Sequence, residues 1–485
     1  MQKTLKELKP QAVWKHFDDI CAIPHGSKNE KAIFEHLVAF AKENNLEYET
    51  DDVMNIVIRK PASKGMEKAP GVVLQGHMDM VCEKNSGIEH DFERDAVKTE
   101  IRGNDGYLYA HGTTLGADNG IGMAVALALL GDKDARHGPL EALFTVDEET
   151  GLTGAFALSG KLLRGKYLIN LDSEDHDTIT IGCAGGGDSK LKLKLERAAM
   201  PKGCASFEVK VSGLKGGHSG VDIHQQRANA IKLLSRMLWE ASGEFDLFVI
   251  DIKGGDKHNA IPREASAKIA ISAERKAELE AVVGEAESEM KSEFSAREPD
   301  MRFSVSAADA AAPFTQASTK KLLSFLYALP HGVQKMSYDI EGFVQTSTNL
   351  AAVKVEGDTL KTHHSTRSSV KSELEAVRHK IGAIADLAAA KIEHGNAYPG
   401  WKPDPHSKLL GVAKGTYEEL FGGKPRVEAI HAGLECGIIM EKCHGMEAIS
   451  IGPQIENPHS PDERVRIDTV QKIWDYVTGI LERLN

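Results

Sequence analysis

Short apolar runs that end in acids or a histidine recur along this chain of 485 residues. Gly71-Val-Val-Leu-Gln-Gly76 runs into His77-Met-Asp79, residues 143–146 run into Asp147-Glu148-Glu149, and residues 167–171 run into Asp172-Ser-Glu174. Apolar runs this short read as buried strands. Residues 14–20, 33–41 and 119–130 show the apolar spacing of helices, and 53–58 reads as a further strand. Strands alternating with helices predict a mostly parallel, mixed sheet between helices, with ligands bound beyond the carboxyl ends of its strands. The acids and imidazoles fall where such a fold keeps its site.

The pattern changes after about residue 186. Lys190-Leu-Lys-Leu-Lys-Leu195 and Phe207-Glu-Val-Lys-Val211 alternate strictly, which predicts an antiparallel sheet with one wet face. Amphipathic helices are expected over 228–240 and 275–294. Tyr398-Pro-Gly-Trp-Lys-Pro-Asp-Pro405 breaks the pattern as a linker would. Beyond it the first rhythm returns: helices over 409–420, 434–440 and 469–484, strands over 426–430 and 448–451. A chain this long exceeds one ordinary core. The expected layout is a domain of residues 1–186 and 398–485 interrupted by a second domain of residues 187–397.

A formal net charge of -12 and a pI near 5.9 argue against nucleic-acid and anionic-membrane partners, which need a basic face. The longest apolar stretch, Met123-Ala-Val-Ala-Leu-Ala-Leu-Leu130, falls well short of the roughly 20 residues of a membrane span. Met1-Gln-Lys-Thr-Leu-Lys-Glu-Leu8 has no apolar leader core. The six cysteines are scattered without a CxxC pair, which suits a reducing compartment and speaks against a thiolate metal site. A cytoplasmic location is the expectation.

His77, Asp118, Glu149, Asp172 and His459 are nitrogen and oxygen donors, a set that suits Zn²⁺, Mn²⁺ or Co²⁺ without thiolates. Two metals sharing one carboxylate could activate a water and polarise a carbonyl. A carboxylate outside the ligand set must then take the proton, and Glu148 beside Glu149 suits that role. Asp79 can orient His77 through the far ring nitrogen. Each piece alone has a plainer reading. His-x-Asp is an ordinary strand end, Gly116-Ala-Asp-Asn-Gly120-Ile-Gly122 a turn into a helix, Asp147-Glu-Glu149 a solvated helix start, and Pro458-His-Ser-Pro461 a turn. The glycine-rich turn lacks the ending of a phosphate loop. The force lies in the whole set, in this order, at strand ends.

These motifs resemble the co-catalytic zinc peptidases, the family that includes glutamate carboxypeptidase, peptidase T, aminoacylase and carnosinase. Ile58-Arg-Lys-Pro-Ala62, Thr113-Thr-Leu-Gly-Ala-Asp118-Asn-Gly120, Leu214-Lys-Gly-Gly-His218-Ser-Gly220, Asn259-Ala-Ile-Pro-Arg-Glu264, His431-Ala-Gly-Leu-Glu435-Cys-Gly437 and His459-Ser-Pro-Asp-Glu463 extend the resemblance over almost the whole chain. One departure is Met54-Asn55, where the family leads one to expect Gly-Asn. The resemblance implies a two-domain α/β zinc peptidase: a catalytic domain interrupted by an α+β lid that often serves as a homodimer interface. It implies two Zn²⁺ per subunit, one on His77, Asp118 and Asp172 and the other on Asp118, Glu149 and His459, with Asp118 bridging. Glu148 is implied as general base, and a cis peptide at Asp118–Asn119 is common in the family. His218 is implied to stabilise the oxyanion, from its own or a partner subunit, and Asn259 and Arg367 to hold the substrate carboxylate. The strings are closest to the branch that hydrolyses dipeptides, preferably Xaa-His such as β-Ala-His. Two rivals remain, an N-acyl amino-acid deacylase or broader carboxypeptidase of the same fold, and a metal-dependent binding protein without turnover.

Overall fold

Buried hydrophobic strands need neighbours on both edges, and the computed structural model pairs them in one eight-stranded sheet. It describes residues 5–484; the amino-terminal segment expected to lack an apolar leader core begins outside the described residues. In spatial order the strands are Glu47–Thr50, Ile56–Lys60, Leu140–Thr145, Val72–His77, Tyr167–Asn170, Glu447–Ser450, Thr178–Cys183 and Arg426–Ile430. The four from Leu140–Thr145 to Glu447–Ser450 run parallel, and antiparallel strands flank them, so the fold is α/β with a mixed sheet. Val72–His77 is buried at every position, as a central parallel strand must be.

Helices cover this sheet. Ala117–Gly131 is apolar almost all round and buried almost all round. Gln11–Cys21 presents Val13, Trp14, Phe17, Ile20 and Cys21 inward, a helical stripe. It packs against Ala117–Gly131 so closely that a Cβ on Gly120 would sit 3.0 Å from the Phe17 ring. Burying Trp14 or Phe17 contributes about 2–3 kcal/mol each. The strand expected over 53–58 begins only at Ile56. Asp51 accepts the amides of Val53 at 3.1 Å and Asn55 at 2.9 Å, which curls the chain, and Met54 takes a left-handed φ of 75°. That is a position that favours the missing glycine.

The chain divides into two compact units: residues 1–182, 401–429 and 434–485, and residues 183–400 with 430–433. The expected borders at 187 and 397 differ from these by a few residues. The second unit is α+β. Its antiparallel sheet runs Arg302–Ala307, Cys204–Ser212, Ala265–Ser272, Phe248–Gly254, Val344–Glu356, Thr359–Ser368, Gly185–Lys194 and Lys391–Tyr398, with Gly332–Met336 beside Val344–Glu356. Leu191 and Leu193 are buried while the alternating lysines are exposed. The helix expected from 228 starts at Ala230 because Asn229 caps it, accepting the amides of Ile231 at 3.0 Å and Lys232 at 3.3 Å. Lys232 in turn donates to the carbonyls of Leu326, Tyr327 and Leu329, closing the carboxyl end of helix Gln316–Ala328.

His364, in strand Thr359–Ser368, is fully buried in this unit, and neither ring nitrogen has a hydrogen-bond partner. Burial, then Lys232, His331 and His363, push its pKa down to about 3. The unfolded chain takes up this proton near pH 6.5 but the folded chain does not. Stability is therefore lost as pH falls below that value, by about 2 kcal/mol between pH 7 and pH 5. His364→Leu should remove that share of the acid sensitivity, read as a smaller drop in the urea midpoint between the two pH values.

Candidate metal centre

His77 closes its strand, and its imidazole is 1% exposed. Its Nε2 lies 3.2 Å from Oδ1 of Asp118 and 3.2 Å from Oδ1 of Asp172. Nε2 of His459 lies 3.3 Å from Oδ2 of Asp118 and 3.1 Å from Oε2 of Glu149. Two clusters, His77–Asp118–Asp172 and Asp118–Glu149–His459, each hold their donor atoms within 4.8 Å of one another and share Asp118. A third, His77–Glu148–Glu149, brings Glu148 alongside. All six residues belong to the first unit.

The donors are poorly served by one another. Oε1 of Glu149 and Oδ1 of Asp172 are buried without a well-formed hydrogen bond. Burial drives Asp172 well above the usual carboxylate range, with His77 opposing and Asp118 and Glu148 adding to the rise. Burial also lifts Glu148 to about 8, against His77 and with Glu435, Glu149 and Asp118. Hydrogen bonds to Asp118 and Glu149 raise His459 to about 11. Crowded carboxylates with orphaned oxygens and two imidazoles call for positive charge among them. Oxygen and nitrogen donors of this kind fit divalent cations of the Zn²⁺ class, which they would approach to about 2.0–2.2 Å.

Local chain geometry aims these groups. Asp147 adopts a left-handed backbone, φ 50°, and its carboxylate receives the Thr150 and Thr153 hydroxyls. The sharp turn ends strand Leu140–Thr145 and starts the short helix that carries Glu148 and Glu149. Asp79 has a wider task than orienting His77. Its Oδ1 accepts the Glu148 amide at 3.0 Å, and its Oδ2 accepts the Glu149 amide at 3.3 Å and the Ser27 hydroxyl at 2.8 Å. Nδ1 of His77 is 3.0 Å from the Asp79 carbonyl and 3.4 Å from its Oδ1. Burial would raise Asp79, but His77 and these donors pull it to about 2. One residue thus fixes both an imidazole and the segment of the acids.

The Asp118 loop is held from far away. Glu463 is 2% exposed, and its carboxylate accepts four amides: Leu115 at 2.7 Å, Gly116 at 3.0 Å, Ala117 at 2.8 Å and Asp118 at 3.3 Å. It sits four residues after His459, whose own backbone is left-handed at φ 60°. The Asp118–Asn119 peptide is cis. Asn119 donates to the Leu171 carbonyl at 2.8 Å, and its Oδ1 lies where a Cβ on Gly76 would be only 2.1 Å away. Only glycine fits at residue 76.

His218, Asn259 and Arg367 lie in the second unit. Nδ1 of His218 accepts the amides of Gly220 at 3.3 Å and Val221 at 3.0 Å, leaving Nε2 as its donor. Burial, then Arg367, lower its pKa. Asn259 is exposed, and its carbonyl accepts the Ser219 amide at 2.8 Å, next to the short pairing of Gly217–His218 with Ala260–Ile261. Arg367 is 9% exposed; its Nη1 donates to the Tyr398 hydroxyl at 3.1 Å, and its buried Nε has no acceptor. It lines a cavity of about 290 Å³ with Tyr398, His258 and Asp188.

Sequence reasoning named Glu463 only as part of a string, and Ser27 not at all. No spacing rule links Glu463 to amides more than 340 residues earlier. Glu463→Gln turns one oxygen into a donor facing amides that also donate. It should cost about 2–4 kcal/mol of stability, read from urea unfolding, and about 10–100-fold in Zn²⁺ affinity, read by chelator competition.

Residues 73–483 match the model of peptidase family M20/M25/M40. The chain is 43% identical over 481 residues to the cytosol non-specific dipeptidase of Escherichia coli, covering 99% of each. It superposes on the crystal structure of aminoacylhistidine dipeptidase from Vibrio alginolyticus with a TM-score of 0.96 and 42% identity, covering 100% of this chain and 98% of that one. Aminopeptidase PepT from Bacillus cereus shares the fold, at a TM-score of 0.57 and 18% identity over 98% of this chain and 99% of that one. Matched by the family model over residues 73–483 and 43% identical to a relative over 99% of each sequence, the chain belongs to peptidase family M20/M25/M40.

Proposed function

We propose that this chain is a metal-dependent dipeptidase that hydrolyses short dipeptides, Xaa-His among them. The observation that carries the proposal is the pair of donor clusters joined through Asp118, with Glu148 beside them. His77, Asp118 and Asp172 would hold one divalent cation, and Asp118, Glu149 and His459 a second. We take both to be Zn²⁺, with Mn²⁺ or Co²⁺ able to use the same donors. Cations in such a site acidify a water and polarise the peptide carbonyl.

The chain's own groups do the rest. Glu148 accepts a proton from the attacking water and returns it to the leaving amine. Its neighbour Glu149 points to the donor cluster, so the two adjacent acids divide the work. Asp79 keeps both in place through their amides. To His218 we assign the donor that steadies the developing oxyanion, because its Nδ1 is already occupied and its Nε2 is free to donate. To Arg367, with its unpaired buried Nε, and to Asn259 we assign the substrate carboxylate. We also propose a homodimer formed through the second unit, supported by exposed Tyr338 at 89% and Leu387 at 90%. A cytoplasmic location is supported by the absence of any disulfide at the six cysteines among the described residues and by the cytosol relative. Among those residues no helix is long and apolar enough to cross a membrane.

Stripping the protein with a chelator should abolish hydrolysis of β-Ala-His, and Zn²⁺, Mn²⁺ or Co²⁺ should restore it. A panel of Xaa-His dipeptides, other dipeptides, tripeptides and N-acetyl amino acids sets the substrate class; cleavage of the last group alone would replace the dipeptidase reading with a deacylase. Glu148→Ala should lower kcat by about 10²–10⁴-fold while elemental analysis finds the metal content unchanged. Near-normal turnover in that variant would remove Glu148 from the proton path. Light scattering of the purified chain tests the dimer, and a monomer at working concentration rejects it.

A further inference from the structure

A chain of buried polar side chains links the strands of the eight-stranded sheet that lead to the donors. Glu435 opens helix Glu435–Lys442 and is 1% exposed. Its Oε2 accepts from Nε2 of Gln75 at 2.6 Å and from the Thr145 hydroxyl at 2.7 Å. Oε1 of Gln75 accepts from Nδ2 of Asn170 at 2.6 Å, and Oδ1 of Asn170 accepts from the Ser450 hydroxyl at 2.5 Å. Gln75 precedes His77 by two residues, and Asn170 precedes Asp172 by two. Side chains two apart along an extended segment share a face, so Gln75 lies on the same side of its strand as His77. Thr145 ends its strand two residues before the turn at Asp147 that leads to Glu148 and Glu149.

Glu435 itself is unbalanced. One oxygen takes two donors, and the other, Oε1, is buried with no partner. A protonated Oε1 would need an acceptor, and none is there; two donors on Oε2 suit the ionised form. Burial lifts Glu435 to about 7, with His77 and the Thr145 and Gln75 hydrogen bonds pulling it down and Asp172 adding to the rise, and Glu435 in turn adds to the rise of Glu148. A buried carboxylate with one oxygen unpartnered, near Asp172 and Glu148, is costly unless positive charge stands opposite.

We propose that Glu435 is a positioning residue of the metal centre: its carboxylate anchors the Gln75–Asn170–Ser450 chain and Thr145 on the strands that lead to the donors, and its unpartnered oxygen supplies charge that cations in the centre balance. The inference rests on the metal-centre reading above. It makes opposite demands on the two forms of the protein. Without metal, Glu435 adds to a crowd of negative charge. With metal, it holds the donor-bearing strands in register and strengthens the attraction.

Glu435→Gln separates the two. The amide oxygen can still accept from Gln75 and Thr145; the new NH₂ finds no acceptor, a cost set against the removal of a charge from among the acids of the stripped centre. The metal-stripped variant should therefore melt at or above the temperature of stripped wild type. Its Zn²⁺ affinity, read by competition with a chromogenic chelator, should fall about 10–100-fold. At saturating metal, kcat should fall with KM changed less than about twofold, since the substrate side is untouched. Glu435→Asp, which keeps the charge with a shorter reach, should recover part of the affinity. Thr145→Val, which removes one donor without removing charge, should weaken Zn²⁺ by a few-fold only. Equal Zn²⁺ affinity in wild type and Glu435→Gln would overturn the inference, as would an equal fall in melting temperature for stripped and loaded forms, which marks a merely structural residue. If Glu435→Gln fails to fold, unchanged Zn²⁺ affinity in Thr145→Val overturns it and a few-fold loss supports it. Failure of wild type to bind Zn²⁺ at all would instead reject the metal-centre reading.

Discussion

Four backbone amides converge on the carboxylate of Glu463, and the centre depends on that meeting. The amides belong to the turn that presents Asp118, the residue common to both donor clusters. The carboxylate belongs to the segment that presents His459. A buried charge satisfied by four donors is rigid, because any shift leaves part of it uncompensated. Fixing the distance between the two segments thus comes from inside the protein, before any ion is considered.

Around that anchor the strain is local and has visible causes. Asp147 and His459 both sit in the left-handed region, which costs about 1–2 kcal/mol apiece for residues with a Cβ. Thr150 and Thr153 hold the first, and the turn before Glu463 contains the second. Asp79 serves two segments at once, so the imidazole of His77 and the acids of residues 148 and 149 move together or not at all. The same logic runs through Gln75 and Asn170.

Much of this was legible in the sequence. The apolar runs at 72–74, 143–146 and 167–171 lie in or beside the three strands that carry the donors, and the alternation at 190–195 announced an antiparallel sheet. His77, Asp118, Glu149, Asp172 and His459 meet in space. Even the odd Met54 was a warning, since that position is left-handed. What the sequence hid was reciprocal. The strand at 53–58 slipped because Asp51 captures two amides, a contact that propensity does not weigh. Glu463 and Glu435 look like ordinary acids in a late segment, and only the packed chain reveals what each one holds. Long-range hydrogen bonds to backbone or buried amides leave no periodic trace in composition or spacing.

The strand Glu447–Ser450 lies between Tyr167–Asn170 and Thr178–Cys183 in the sheet. Its two neighbours are joined by only seven residues of chain, while the strand that separates them arrives more than 260 residues later. A ribosome must therefore add more than 260 further residues before that slot can close. Until then the nascent sheet offers two unpaired hydrophobic edges, which is the surface that strand-to-strand aggregation exploits. The insertion of a second folding unit in the interval lengthens the exposure. Synthesis of this enzyme thus carries a built-in waiting period during which two buried strands need shielding, and residues 447–459 complete the sheet and the donor clusters together.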